Sequence, residues 1–548
     1  MERFACPLIR LLWIVACCLG GLLTAAPEPK VEMSVQLPPF IIEQTTGPKW
    51  RYTRIPRYEI LSRCNDLTTE QLALAFHRAN QLLGLVLPER FQLALDVPQA
   101  LIFYDEKLWP VAEQAAVAAL LKAHPPARAD GLPSPGTPPR VQLEPITGAK
   151  LLGASPSAQT AARDSFFSNL MLSDADSITT FALVSSSTLD PQRSYLTPAY
   201  VANLLERRTP TLPEWFTAGF MRLYDRMDFA DNTVTVRPIR WNFATQATPG
   251  AQPSAPQPDL IAPAVFFAGK SAAAPDTFAW VEQCELLVSW GLDPAQGRAT
   301  AFWKLVERAC TEPVTEALFK ECFGFDFNEA TRRLAAYGAN HPGLRWVLPE
   351  ELSRPPPYPL RDATPLQIAR IKGEWERLEA RYGRKNHPDL EDHYVTLARR
   401  TLRRVYDRGD RDPRLLASLG LLELDAGNKA EAVALLEEAV QRDVVRPRAT
   451  YELARLRYDA LVGRSTRNDD KFSSAQVASV VEPLLAGMKR SPPLAASYEL
   501  LAHISAQSVT PPSDEVLAAL ENGARLFPEK RARLLELATQ PADFKPPR

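Results

Sequence analysis

The stretch LTPAYVANLLERRTPTLPEWFTAGFMRLY, Leu196–Tyr224, predicts the arrangement on which the fold depends: a helix, a turn and a second helix. Thr197 is suited to cap a helix that begins at Pro198, where a missing N–H has no intrahelical partner to lose. The prolines of the TPTLP segment end that helix, because a helix interior needs the backbone donors that proline lacks. A second helix is predicted over Glu214–Met227, with aromatic side chains along one face.

This layout resembles the active-site helices of secreted gluzincin (peptidase MA-like) metallopeptidases. In that family one helix carries H-E-x-x-H, and a later segment of the form L-P-x-W-[LF]-x-E-G supplies the third zinc ligand. The segment LPEWFTAG, Leu212–Gly219, matches the second motif with Ala218 at the position of the glutamate. Aligned by that segment, the first motif falls on PAYVA. Pro198 and Ala202 then stand at the two histidine positions, and Ala199 stands at the general-base glutamate.

The resemblance therefore implies a metallopeptidase-like fold without its metal. Two histidines four residues apart on a helix are needed to aim both rings at one zinc ion. No two histidines of this chain are four apart, and none lies between positions 124 and 341. We expect no metal, no cofactor and no catalytic residue here, so the protein is predicted not to be an enzyme. The alternative is an unrelated fold in which LPEWFTAG is a turn followed by a core helix.

Length and charge indicate a protein of several domains without a nucleic-acid partner. A chain of 548 residues corresponds to about two to four domains. The net charge is −1 and no long run of one sign occurs, so no electrostatic surface for nucleic acid is indicated. The 50 prolines are about twice the usual share, whereas glycine is not raised, which favours proline-punctuated loops over disorder.

Residues 1–26 have the pattern of a signal peptide. Arg3 and Arg10 give a positive start, Leu11–Leu23 is apolar, and Thr24–Ala26 provides small residues for cleavage. We expect export to the periplasm or the medium, and no membrane span after signal removal, because no later stretch approaches about 20 apolar residues. One alternative is a lipoprotein anchored at Cys17. An uncleaved membrane anchor is another.

Four cysteines remain after the signal: Cys64, Cys284, Cys310 and Cys322. They allow three disulfide pairings, between which the sequence does not choose. No C-x-x-C motif occurs, so a cysteine-based metal or redox site is not expected. Buried free thiols are the alternative to disulfides.

Residues 36–350 are predicted to form the metallopeptidase-like domain, which makes the fold class α+β. A helix over Thr68–Leu83 is expected to be capped near Asp66 or Thr68. Strands are predicted at Phe40–Ile42, Trp50–Thr53, Tyr58–Leu61, Ala100–Tyr104, Ser177–Ser187 and Asn232–Arg240. Later helices are predicted at Leu108–His124, Phe278–Gly291, Gly297–Ala309, Val314–Phe323 and Asn328–Tyr337.

Residues 351–361 are proline-rich and are interpreted as a linker, followed by an all-α helical-hairpin domain over residues 362–541. In LASLGLLELDAGNKAEAVALLEEAV, Gly420 lies in one helix, Gly427 at the turn and Ala432 in the next helix. Ala454 follows Gly420 by 34 residues, the length of a tetratricopeptide repeat, which this region resembles. An ordinary antiparallel helical bundle is the alternative. Pro483 is expected to kink or break the helix that contains it.

Two classes of function follow. The first is an exported, non-catalytic binding or scaffold protein that holds a peptide or protein in a metal-free cleft and on the helical repeat surface. The second is a hydrolase that uses cleft carboxylates without zinc, for which the candidates are Glu206, Glu214 and Asp225. Asp225 and Asp228, three residues apart on a predicted helix, are more typical of a solvated face.

Overall fold

The computed structural model describes residues 36–41, 47–114, 165–166, 169–185, 187, 189, 196–239, 241, 260–269, 277–340, 343–353, 357–464 and 471–539. The predicted signal peptide, Cys17 and most of the helix predicted at Leu108–His124 lie outside these residues. The chain divides into two compact units. The first is made of Met1–Pro39 and Ala129–Phe167, and its described residues form one short parallel ladder of two strands. The described elements other than the two strands of that ladder belong to the second unit, Phe40–Arg128 with Ser168–Arg548.

The protein is a mixed α+β structure whose C-terminal region is helical. The strands are β1 (Gln36–Leu37), β2 (Arg51–Ile55), β3 (Tyr58–Ser62), β4 (Gln99–Asp105), β5 (Ser165–Phe166), β6 (Asn169–Ser173), β7 (Ile178–Val184), β8 (Met227–Ala230), β9 (Thr233–Val236), β10 (Leu344–Val347) and β11 (Arg361–Asp362). A six-stranded sheet has the order β11-β2-β3-β4-β7-β6, and a three-stranded antiparallel sheet has the order β10-β9-β8. In the larger sheet β3, β4 and β7 are parallel and the outer pairings are antiparallel.

Helices account for most of the remainder. The first nine are α1 (Asp66–Val86), α2 (Pro198–Glu206), α3 (Glu214–Tyr224), α4 (Pro263–Phe267), α5 (Thr277–Leu292), α6 (Ala299–Ala309), α7 (Glu316–Phe323), α8 (Phe327–Asn340) and α9 (Glu350–Ser353). The C-terminal region adds α10 (Pro365–Asn386), α11 (Glu391–Tyr406), α12 (Pro413–Asp425), α13 (Lys429–Gln441), α14 (Pro447–Arg464), α15 (Ser474–Met488), α16 (Ala495–Ala506), α17 (Asp514–Leu526) and α18 (Arg531–Thr539). No helix among these described residues is long and apolar enough to cross a membrane.

Most strands predicted from alternation or apolar runs are confirmed, but three local predictions are wrong. Phe40 and Ile41 are buried without forming a strand, and the two prolines before them lack the N–H groups that a ladder needs. Helix α1 is capped by Asn65, whose Oδ1 accepts from the N–H of Thr68 at 2.8 Å, rather than by Asp66 or Thr68. Helix α3 ends at Tyr224 instead of Met227, because Met227 begins strand β8 of the hairpin β8–β9.

Helix α10 is the central element of the C-terminal region. Nearly every residue from Ala369 to Ala380 is buried, because the helix packs on the sheet on one side and on neighbouring helices on the other. Trp375 stacks on Phe181 of β7 with 5.8 Å between ring centroids. Strand β11 lies just before α10 and pairs with β2, so the helical region is tied to the sheet at its start. The boundary at residues 351–361 remains a prediction.

The helical hairpin predicted from small residues is present. Helices α12 and α13 meet where a Cβ at Gly420 would lie 2.9 Å from Leu436, so only glycine allows this approach. Gly427 between them has φ +85°, in the left-handed region that ends helices. The membership of these helices in the tetratricopeptide family remains a prediction.

Pro483 does not break its helix, which is one of the two effects expected of it, since α15 runs continuously from Ser474 to Met488. Proline removes the N–H that would bond the carbonyl of Ser479, four residues earlier. The guanidinium of Arg457 in α14 donates to that carbonyl at 2.8 Å instead. A neighbouring helix therefore satisfies the acceptor that proline leaves free.

The four described cysteines are free thiols. Cys64 and Cys284 are buried, and Cys310 and Cys322 are part-buried. Burial raises the pKa of each thiol, most strongly at the two buried positions, which keeps them protonated and unreactive at neutral pH.

Candidate functional site

Helix α2 forms where the sequence predicts it. The hydroxyl of Thr197 accepts from the N–H of Tyr200 at 3.2 Å, and Pro198 occupies the first helical turn. The helix is attached to the sheet by Tyr200, whose hydroxyl lies 2.7 Å from that of Tyr58 on β3. Its apolar face, which includes Leu204, is fully buried. The position of α2 is thus fixed by a cap, a polar anchor and an apolar face.

Helix α3 contributes the LPEWFTAG segment. Trp215 and Phe216 are buried and pack edge-on or tilted against Phe302 of α6. Gly219 lies so close to the carbonyl of Cys284 in α5 that a Cβ there would collide with backbone. The Trp, Phe and Gly of this segment therefore have structural reasons to be present, whatever its ancestry.

The two helices form an antiparallel pair. The hydroxyl of Tyr224, at the end of α3, donates to the carbonyl of Leu196, just before α2, at 2.8 Å. The C-terminal end of α3 therefore lies beside the start of α2.

The four positions aligned with the zinc motif differ in exposure. Pro198 and Ala199 are exposed in the first turn of α2, whereas Ala202 and Ala218 are part-buried. Ala218 also packs against the main apolar core. Their convergence on one point remains a prediction.

The carboxylates considered for an alternative hydrolase are spread along the hairpin. Glu206 ends α2, Glu214 begins α3 and Asp225 follows the last residue of α3; all three are exposed. Eleven helical residues separate Glu214 from Asp225, which is about 16 Å along the axis. Paired catalytic carboxyl groups of glycosidases lie within about 10 Å. Asp228 is on strand β8 and not on the helix of Asp225, so the i, i+3 relation expected between them does not occur.

No group of three or more His, Cys, Asp or Glu side chains in the described part of the chain is arranged to hold a metal ion. No protein-family model, curated protein or solved structure matches this chain.

A second constellation, which the sequence did not predict, lies where the β6–β7 turn meets the helical region. We call it the buried charge cluster: Asp174, Asp176, Ser177, Glu374, Arg377, Ser418, Arg446 and Arg448. All eight residues are less than 9% exposed. They come from the β6–β7 turn, from α10 and α12, and from the residues at the start of α14. The cluster thus joins segments that are about 200 to 270 residues apart.

Asp174 is the anion to which most of the cluster is attached. One oxygen accepts from the N–H groups of Asp176 and Ser177 at 3.2 and 3.1 Å, which shapes the turn. The other accepts from Arg377, and from Arg448 at 2.7 Å. Arg207, which caps the C-terminus of α2, donates to the backbone carbonyls of the same turn. Helix α2 is therefore connected to the cluster.

The charges in the cluster shift one another's pKa values. Burial alone would raise the pKa of Asp174, but Arg377, Arg446 and Arg448 outweigh it and hold the pKa well below its usual value. The pKa of Glu374 is lowered for the same reason, against burial, by Arg377 and Arg446. These carboxylates are ionised at neutral pH, and each is matched by guanidinium groups.

A different kind of buried acid lies further along α10. Glu379 is fully buried, and neither carboxylate oxygen makes a hydrogen bond of good geometry; the side chain of Trp375 is the polar neighbour that favours its charged form. Burial and the charge of Glu376 raise its pKa well above the usual value, while Lys372 opposes them. Lys372 and Glu376 form a buried ion pair one turn away. Burial therefore favours the neutral, protonated form of Glu379.

The sequence offered weak signals for the cluster. Asp174 and Asp176 are two residues apart, as are Arg446 and Arg448, and neither spacing is diagnostic. Which acid meets which base depends on tertiary packing, because the partners are distant in sequence.

Proposed function

We propose that this protein is an exported, non-catalytic binding protein, built from a metallopeptidase-like domain without its metal and a tetratricopeptide-like helical region. Its partner is a peptide or a protein segment. The metal-free cleft beside α2 and α3 and the stacked helical hairpins are the proposed binding surfaces.

The observation that carries the proposal is the chemistry of the α2–α3 hairpin. Pro198, Ala199, Ala202 and Ala218 have side chains without any atom that binds a metal or transfers a proton. We expect Ala202 and Ala218 to face each other across the α2–α3 hairpin, as the lost ligand set requires. Glu214 and Asp225, at opposite ends of α3, are too far apart to act as a catalytic pair.

The helical region supports a protein partner rather than a small molecule. Helices α10–α11, α12–α13 and α14–α15 follow one another as connected pairs of 13 to 22 residues. Stacked pairs of this kind present an extended surface, and such surfaces suit segments of other chains.

Zinc content and peptide turnover of the mature protein test the proposal. After dialysis against zinc, elemental analysis should show no stoichiometric metal, and a diverse peptide library should be bound but not cleaved. One zinc per chain together with chelator-sensitive cleavage would refute a non-catalytic role.

A substitution that fills the hairpin separates cleft binding from binding elsewhere. Ala202→Trp should weaken binding of a captured peptide at least about tenfold if the peptide lies between α2 and α3. The matched control is Thr211→Trp, at an exposed position in the turn between these helices. Equal affinity of both variants would show that the cleft is not the binding surface.

A further inference from the structure

A small cavity lined by both polar and apolar side chains adjoins the buried charge cluster. It lies between the residues that lead into β4, the start of β7, and helices α10 and α12. Its volume is about 20 Å³, measured as the space open to the centre of a water-sized sphere. About 10–15 Å³ of such space holds one water, so the cavity accommodates a single small occupant.

Three guanidinium groups line this cavity, from Arg370, Arg414 and Arg446, against the single carboxylate of Glu374. Arg446 is 2% exposed and lies deepest, whereas Arg370 and Arg414 are 15% and 17% exposed and stand nearer the surface. Arg370 and Arg414 are also paired with Glu59, and Arg446 is also paired with carboxylates of the buried charge cluster.

The hydrogen bonds of these residues leave specific donors free. Arg370 and Arg414 both donate to Glu59, and Arg446 donates to Glu374 at 3.0 Å. The buried Nε–H groups of Arg370 and Arg446, however, have no acceptor in the protein. A buried donor without an acceptor is costly, and guanidinium donors form their strongest bonds with anions.

The carboxylate on the wall does not fill this need. Both oxygens of Glu374 already accept several bonds, from Ser177, Arg377, Ser418 and Arg446. Burial lowers the pKa of Arg414, Glu59 opposes this, and the charges of Arg370 and Arg446 lower it further. Carboxylates of the buried charge cluster instead raise the pKa of Arg446 against its burial.

We propose that this cavity is a binding site for one halide-sized monovalent anion, such as chloride, held by Arg370 and Arg446. A monatomic anion matches the space and accepts from several donors at once. Tetrahedral oxyanions have five heavy atoms and exceed it. Since the cavity is walled by both the sheet and the helical region, the bound anion stabilises their contact.

Bromide provides a direct probe. Crystals of the full chain grown or soaked in sodium bromide should show an anomalous peak within hydrogen-bond distance of the Nε atoms of Arg370 and Arg446. A cavity that contains only water at saturating bromide would overturn the proposal.

Thermal unfolding in solution provides the second readout. At constant ionic strength, replacing gluconate by chloride should raise Tm in a saturable way, by about 2 °C at ten times the dissociation constant. Ala100→Val, which fills the cavity from β4, should fold and lose this chloride dependence. Ala182→Val on the neighbouring strand β7, away from the cavity, should keep it.

Arg370→Gln should raise the chloride concentration needed for half of the Tm increase about tenfold, because it removes one charged donor. The control Arg54→Gln changes an exposed arginine on β2 outside the cavity and should leave the effect unchanged. A chloride effect that is equal in Ala100→Val and the native chain would place the anion elsewhere and reject this site.

Discussion

Asp174→Asn should destabilise the protein far more than an ordinary surface charge change. The substitution keeps the size of the side chain and the oxygen that shapes the β6–β7 turn. It replaces the oxygen that accepts from Arg377 and Arg448 by an NH₂ group, so donors then face donors. Three buried guanidinium groups lose their shared counter-ion.

The expected loss is about 3–5 kcal/mol, the usual cost of removing one partner from a buried ion pair. This is a large fraction of the roughly 5–15 kcal/mol that stabilises a typical protein. Urea unfolding, followed by tryptophan fluorescence and circular dichroism, measures the change as a fall in midpoint. Trp375 on α10 reports on the interface between the sheet and the helical region.

The pH dependence gives an independent check. The pKa of Asp174 is lowered in the folded state, so its contribution is present above the unfolded pKa of about 3.9 and is lost as pH falls toward the folded pKa. The variant should therefore differ most from the native chain at neutral pH and least below about pH 4. The matched control is Asp443→Asn, which alters an exposed ion pair with Arg490 and should change little. Equal midpoints for the two variants at pH 7 would refute the assigned role of the cluster.

Three further outcomes are expected. Glu379→Gln should be more stable than the native chain at pH 8 and equal to it near pH 4. The reason is that the raised pKa of Glu379 makes the folded native chain lose stability as pH rises above the unfolded pKa of about 4.3. Thermal unfolding across pH measures the difference, and a gain in stability that does not depend on pH would contradict this reasoning. Gly219→Ala should lower the free energy of unfolding by about 1–3 kcal/mol, because the added methyl group collides with the carbonyl of Cys284. Gly84→Ala, in open space on α1, should raise it by about 0.5–1 kcal/mol. Changes of the same sign in urea unfolding would show that helix propensity, and not the collision, decides at Gly219. N-terminal sequencing of protein exported from an expressing cell should begin near Pro27, and a chain that retains Met1 or is lipidated at Cys17 would contradict cleavage after residue 26.

Local patterns predicted much of the fold. Apolar runs predicted β4 and β7, and small residues around Gly427 predicted the hairpin α12–α13, because these features depend on neighbours in sequence. Thr197 and Pro198 predicted the start of α2 for the same reason.

The failures share a different physical cause, which is long-range compensation. Pro483 is tolerated because Arg457 from another helix satisfies the carbonyl of Ser479. The buried charge cluster was missed because Asp174 finds Arg448 only after the chain has folded. In the candidate site, the composition of the hairpin was readable from sequence, but the approach of the end of α3 to the start of α2 became visible only in the contact of Tyr224 with Leu196.

Placing zinc ligands at the positions aligned with the metallopeptidase motif tests whether α2 and α3 have the geometry of a metal site. In the triple variant Pro198→His, Ala202→His and Ala218→Glu, two imidazoles four residues apart on α2 and a carboxylate on α3 supply the ligands of the zinc site that the resemblance implies. The control variant Ala199→His, Asn203→His and Ala218→Glu introduces the same two histidines and one glutamate, but its histidine pair is turned by about 100° around the helix.

Zinc bound per chain, measured after dialysis by elemental analysis and by competition with a chromogenic chelator, is the deciding quantity. We expect about one zinc ion per chain for the triple variant and none for the native chain or the rotated control. A folded triple variant that binds no more zinc than the rotated control would contradict the claim that these positions once formed a metal site.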